Sequence, residues 1–279
     1  MTRRALVLGG GGITGIAWEW GILTGLAEAG IALADADLVV GTSAGSVVGA
    51  QVANGLSPAQ RYEAQLAPPD GELAGRFGTG TVLRYGLAML VGSRAPREVR
   101  QRIGRLALRA GGDEAERVAV IDSRLPVKEW PTGPLLRVTA VDAETGEFRV
   151  FDRDSGVPLV RAVAASCAVP GVWPPVTIDG RRYMDGGARS GTNADLAAGY
   201  DKVVLLAPLV RGFGPMPGAA AHVARLRPES QVALVSPDPE ALRAFGRNVL
   251  DPAKRADAAR AGLRQAASVA ASVRAVWDE

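Results

Sequence analysis

Asp37-Leu38-Val39-Val40-Gly41-Thr42-Ser43-Ala44-Gly45-Ser46-Val47-Val48-Gly49-Ala50 is the stretch from which the fold can be read. After Asp37, Leu38-Val39-Val40 form a short apolar run of the kind buried in a parallel sheet. Gly41-Thr42-Ser43-Ala44-Gly45 then fits G-x-S-x-G, the pattern of a nucleophile elbow. In such a turn a serine sits between a strand and a helix, and small neighbours let the backbone take a sharp shape. The small residues that follow read as a helix, and Asn54-Gly55 supplies its stop. Strand, turn and helix in that order predict an α/β fold. The chain carries 35 glycines, so the pentapeptide alone arises readily by chance and its flanks carry the inference. The plain alternative is a glycine-rich turn with an incidental serine.

Upstream lies Gly9-Gly10-Gly11-Gly12-Ile13-Thr14-Gly15, after a strand at Ala5-Leu6-Val7-Leu8 and before a helix running toward Ala29. Gly10, Gly12 and Gly15 satisfy the dinucleotide fingerprint literally. That fingerprint also needs an acidic residue at the end of the second strand to hold a ribose hydroxyl. Here Asp35 and Asp37 precede the second strand, which ends in Gly41-Thr42-Ser43. A nucleotide-binding protein is therefore the third-ranked reading. Backbone N–H groups at a helix start suit a developing oxyanion better.

Two further blocks complete the pattern: Ala165-Ser166-Cys167-Ala168-Val169-Pro170-Gly171-Val172-Trp173, and Asp179-Gly180-Arg181-Arg182-Tyr183-Met184-Asp185-Gly186-Gly187. With Gly10 to Gly15 and Val40 to Ser46, their order and spacing resemble the bacterial patatin-like phospholipases, a family of serine acyl hydrolases. The resemblance covers residues 4–55 and 135–208, approximately. It implies a three-layer α/β sandwich with a largely parallel central sheet and a Ser–Asp dyad of Ser43 and Asp185. It also implies an oxyanion loop at Gly10, Gly11 and Gly12, with Ala44 assisting. A lipid or ester substrate is implied, and no cofactor. The family usually carries Arg or Lys where this chain has Thr14, so a non-catalytic lipid or acyl-chain binder is the competing reading.

The residues test the dyad independently. His222 is the one histidine, downstream of every motif, and a triad needs a histidine base. It could serve Ser43 only if its segment folded back over the elbow; an ordinary surface or packing histidine is expected. A carboxylate must then take the serine proton. Asp179-Gly180, between Val176-Thr177-Ile178 and Arg181 to Met184, is a preferred hairpin turn pair, and the turn explains Asp179. Asp185 ends the second hairpin strand before two glycines, where structure needs no aspartate. A carboxylate base is expected to keep the enzyme active well below about pH 6.5, where an unperturbed histidine protonates.

Composition narrows the class. The net charge is +3 over 279 residues, 47% of them hydrophobic, as expected for one α/β unit with a full core. No basic stripe with interleaved aromatics points to nucleic acid, and no His, Cys or carboxylate cluster points to a metal. The lone Cys167 excludes an internal disulfide, allows a reducing compartment and reads as a small buried residue. A cytoplasmic enzyme is expected, with peripheral contact at the inner face of the membrane as an option. Thr2-Arg3-Arg4 and the apolar stretch after it imitate a signal peptide, but cleavage would remove the glycine run. Residues 56–134 read as a helical insert with an apolar stretch at 82–91 and a basic amphipathic helix at 96–109. In that helix Val99, Ile103, Leu106 and Ala110 share a face. Packing helices are the plain reading of the insert; a lid that meets a membrane through its arginines is the functional one. Residues 139–151 read as a hairpin and Val203 to Ala207 as a buried strand. Two C-terminal helices are expected, the second opened by Asp251-Pro252.

Overall fold

A computed structural model describes residues 2–68, 75, 92–212, 214 and 216–278. The apolar stretch at 82–91 lies outside the described residues.

The chain forms an eight-stranded sheet in the order β5-β6-β3-β2-β1-β7-β8, with β4 also paired to β3. The strands are β1 Arg4–Leu8, β2 Leu38–Gly41, β3 Leu135–Asp142, β4 Phe148–Phe151, β5 Val176–Ile178, β6 Arg181–Asp185, β7 Lys202–Leu206 and β8 Gln231–Val235. β3, β2, β1, β7 and β8 run parallel. The β3–β4 and β5–β6 pairs are antiparallel, as the two hairpin readings predict, and an antiparallel β3–β6 pair joins the two hairpins. Parallel strands are covered on both faces, which is why β1, β2 and β7 read as continuous apolar runs.

The nine helices among the described residues are α1 Gly12–Glu28, α2 Ala44–Ala53, α3 Pro58–Leu66, α4 Pro96–Ala107, α5 Glu114–Arg124, α6 Leu159–Ser166, α7 Ala219–Leu226, α8 Pro239–Phe245 and α9 Arg255–Trp277. Leu6, Leu8, Val39, Val204 and Leu206 face the layer that contains α1, α2 and α9. Ala5, Val7, Leu38, Val40, Val203 and Leu205 face α7 and the 3-10 turn Ala194–Ala197. The period-2 alternation of β1 and β7 thus feeds two cores, and the result is the three-layer α/β architecture. α1 packs against α2, α3 and α9, so it is apolar nearly all round rather than along one stripe. Its two tryptophans are fully buried, and each indole N–H finds an amide oxygen: Trp18 to Gln265 at 3.0 Å, Trp20 to Gln51 at 2.8 Å.

Two boundaries differ from the sequence reading. In α4 the buried face is Val99, Ile103 and Ala107, whereas Leu106 is half-buried and Ala110 falls beyond the helix. The reason is that α4 packs on the β3–β4 hairpin: Arg97 reaches Glu147 at 2.9 Å and Arg100 donates to the Gly146 carbonyl at 2.7 Å. Asp251 caps a separate 3-10 turn, Pro252–Lys254, and α9 itself starts at Arg255. No described helix is long and apolar enough to cross a membrane.

One fully buried acid sits in α1. Neither carboxyl oxygen of Glu19 has a hydrogen-bond partner among the described residues, and the nearby Gly9 N–H is donated to Leu206 O at 3.0 Å. Burial pushes its pKa well above the ordinary 4.5, with the Gly9 backbone opposing weakly. The folded protein holds this group neutral while the unfolded chain ionises it. Stability is therefore unimpaired below about pH 4.5 and declines as pH rises above it. Glu19→Gln removes that loss, so its melting temperature should exceed the parent's by more at pH 8 than at pH 5. An equal difference at both pH values would contradict a neutral buried Glu19.

Candidate active site

The site forms where three strand ends meet. β2 stops at Gly41, opposite Val138, and β6 stops at Asp185, opposite Ala140. Their carboxyl ends therefore arrive on either side of Thr139 in the β3 register. β1 ends beside β2 and delivers the glycine loop.

Ser43 has φ 52° and ψ −119°, a left-handed conformation rare for a residue with a side chain. Holding it there costs on the order of 1–3 kcal/mol, so neighbours must enforce it. Its N–H donates to Ser166 Oγ at 2.9 Å. Its carbonyl accepts from Ser46 Oγ at 2.6 Å and from the Cys167 thiol at 3.3 Å. The Gly45 N–H donates to Gly9 O at 3.0 Å, tying the elbow to the glycine loop. A Cβ on Gly45 would collide with the Leu8 carbonyl, which is the close approach that requires glycine there. Burial pushes the Cys167 thiol up to about 11, so it acts here as an uncharged packing group.

In the glycine loop, Gly12 takes φ +61° and opens α1. Among the described residues the Gly11 and Gly12 N–H groups have no acceptor, as the first N–H groups of a helix do. Ala44 is the first residue of α2, so its N–H is likewise free of a helical partner. Gly10 differs from the sequence expectation: its N–H is engaged by Gly191 O at 2.7 Å, so it shapes the cavity wall rather than offering a free donor. Thr14 is fully buried outside the cavity lining, and its N–H donates to Val249 O at 3.1 Å.

Asp185 is buried, and its Oδ1 accepts the Gly187 N–H at 2.7 Å. Its pKa is raised to about 6: burial raises it most, while the hydrogen bond from Ser43, the Gly187 N–H and the charge of Arg117 oppose. The Ser43 side chain is thus close enough to Asp185 to favour its charged form. Both line a cavity of about 480 Å³ together with Gly10, Gly11, Gly12 and Ala44. Much of the remaining wall is apolar, from Ile13, Ile16, Val169, Trp173, Met216 and Leu250. A volume of this size fits a small-molecule or acyl-chain site.

Asp179 has φ 49° and Gly180 φ 75°, the left-handed pair of a tight hairpin turn, so Asp179 serves the turn. His222 lies in α7, buried, with Nε2 2.9 Å from Ser190 Oγ. Its Nδ1 stands 3.6 Å from Asp195 Oδ1, too far for a hydrogen bond, and it does not line the cavity. It is a packing histidine, and burial lowers its pKa. The expected pH signature of a carboxylate base changes: at about 6, Asp185 titrates close to an ordinary histidine, so a pH profile alone does not separate dyad from triad.

The sequence reading missed the contribution of α5. Arg117 and Arg124 both line the cavity, and the Arg117 guanidinium stacks 4.4 Å above the Trp173 ring. Seven residues apart on a helix, they share a face. The available signal was Asp113-Glu114-Ala115-Glu116: Asp113 accepts the Ala115 N–H at 2.8 Å as helix cap, with Glu116 three residues on.

A family model described as patatin-like phospholipase matches residues 6–198, a span that contains Ser43 and Asp185. No curated protein matches the chain significantly. Among solved structures, VipD from Legionella pneumophila is similar at 13% identity over 98% of this chain and 67% of its own, with a TM-score of 0.46. The type III effector protein ExoU is similar at 16% identity over 98% of this chain and 53% of its own, with a TM-score of 0.44. The ExoU–SpcU complex of Pseudomonas aeruginosa gives 20%, 100%, 52% and 0.40. The chain thus spans about half to two thirds of these proteins, and likeness at this level carries no functional statement. The family match covers most of the chain: this protein belongs to the patatin-like phospholipase family.

Proposed function

We propose that this chain is a serine acyl-ester hydrolase of lipid or phospholipid substrates that works through a Ser43–Asp185 dyad. The observation that carries the reading is that Ser43, held at positive φ, and the buried Asp185 line one largely apolar cavity, with the serine side chain near enough to favour the charged carboxylate. Family membership supports lipid acyl hydrolysis as the reaction class. Ser43 Oγ attacks the ester carbonyl carbon while Asp185 takes its proton. The negative charge on the carbonyl oxygen is stabilised by the N–H groups of Gly11, Gly12 and Ala44, at the starts of α1 and α2. Collapse breaks the ester C–O bond, and Asp185 returns the proton to the leaving alkoxide. Water then attacks the acyl-enzyme, again losing a proton to Asp185, and the acid leaves as Ser43 recovers its hydrogen. A pKa of about 6 suits both roles, since the carboxylate is ionised at neutral pH yet basic enough to accept the proton.

The apolar wall suits an acyl chain. Leu209, 45% exposed, and the exposed Arg211 flank the cavity, a pairing suited to peripheral contact with a lipid surface. The test is hydrolysis across a panel of phospholipids, lysophospholipids and simple esters, with Ser43→Ala as control. Acyl-chain release that Ser43→Ala abolishes is the expected result. Lipid binding without release by either protein would favour the non-catalytic binder.

A further inference from the structure

Ser43 and Asp185 reach each other from segments more than a hundred residues apart, and a dyad tolerates little error in their separation. Between them lies a small polar network that the chemistry above does not use. Thr42, Thr139 and Asn193 are all completely buried. Thr42 Oγ1 and Thr139 Oγ1 are 2.9 Å apart. The Asn193 amide nitrogen lies 3.1 Å from Thr42 Oγ1, 3.2 Å from Thr139 Oγ1, 2.9 Å from Ser190 O and 3.3 Å from Gly186 O. Arg189 donates to its amide oxygen at 2.8 Å, which fixes which end of the amide points inward. Asn193 itself holds a left-handed backbone, φ 47° and ψ 36°. A Cβ at Gly186 would collide with Thr139 Oγ1, so the loop after Asp185 rests directly on this threonine.

We infer that Asn193, acting with Thr42 and Thr139, is a positioning residue that sets the distance between Ser43 and Asp185. The amide joins the residue before the nucleophile to the loop that follows the base, and Thr139 is the strut between the two strand ends. The inward-facing hydrogens are two while the oxygens around them are four, so the amide gathers both loops around one point. The buried polar atoms are satisfied only when both loops are in place, and a misplaced loop leaves them unpaired. The inference rests on the dyad reading above, and the two can fail separately.

Asn193→Gly is the decisive variant, because glycine accepts the left-handed backbone and only the amide is lost. Thr139→Val removes the hydroxyl at constant shape, and Thr139→Ser restores it. Fluorophosphonate labelling rate at Ser43, kcat, KM, melting temperature and the pH profile are measured for each. Asn193→Gly and Thr139→Val should lower kcat and the labelling rate together, by about 10–10²-fold, the scale of a misplacement near 1 Å. KM should change little, and Thr139→Ser should stay near the parent. The acid limb should move to higher pH, because Ser43's hydrogen bond is one of the influences that hold Asp185 down, Arg117 and the Gly187 N–H being the others. Unchanged kcat, labelling rate and acid limb in folded variants would overturn the inference, whatever happens to melting temperature. So would parallel changes in kcat and KM with the acid limb unmoved. If Asn193→Gly does not fold, the Thr139 pair decides alone. Failure to label Ser43 in the parent itself would instead reject the dyad.

Discussion

Asp185→Asn lowers kcat/KM for ester hydrolysis by about 10²–10⁴-fold, the usual contribution of a positioned general base. The amide cannot take the Ser43 proton, yet it keeps the shape of the group that accepts the Gly187 N–H. His222→Gln should leave turnover of the same order as the parent, because the histidine faces Ser190 rather than the cavity. In the parent, the rate should rise with pH until Asp185 is ionised and then level off. The turning point lies near about 6, because burial raises this carboxyl and its hydrogen-bond donors only partly offset that. Since an ordinary histidine would give a similar limb, the comparison between Asp185→Asn and His222→Gln identifies the base. Equal inactivation of the two variants at unchanged melting temperature would demote Asp185 to a residue that orients something else.

The second large effect comes from the glycine loop. A methyl on Gly11 would stand 2.5 Å from Pro208 Cβ and 2.8 Å from Gly15 Cα, so Gly11→Ala must displace the loop. The displaced N–H groups of Gly11 and Gly12 then miss the oxyanion. Loss of one such donor costs about 3 kcal/mol, or 10²–10³-fold in kcat. KM should move little, because the donors act on charge that develops only in the transition state. A raised KM with unchanged kcat would mean that the loop binds substrate and does not stabilise the oxyanion. Thermal protection by a dinucleotide at micromolar concentration would make it a phosphate cradle.

Much of this site is legible in the sequence because its constraints are local. A serine forced to positive φ needs small neighbours, and Gly41-Thr42-Ser43-Ala44-Gly45 announces them. Asp185 stands out in the sequence because Asp179 already serves the hairpin turn, although in the structure Asp185 also caps the 3-10 turn Gly186–Ala188. Other features arise only from packing between distant segments. The Gly10 N–H is taken by Gly191 O, a residue 181 positions downstream, and no spacing rule reports that. The pKa of Asp185 follows from how completely the loops around it exclude water, so an ordinary carboxylate was the natural sequence expectation. His222 is buried because α7 packs on the opposite face of the sheet from α1, and an eight-residue helix leaves a weak periodic signal. Arg117 and Arg124 belong to the site only because α5 packs so that both line Ser43's cavity, and no local pattern in the sequence marks that.

The most direct measurement is covalent labelling of the intact protein with a fluorophosphonate, followed by mapping of the adduct by mass spectrometry. One adduct per chain, on the peptide that contains Gly41 to Gly45 and absent from Ser43→Ala, is the expected result. An adduct on another residue, Ser190 among them, or no adduct in folded protein, would contradict Ser43 as the nucleophile.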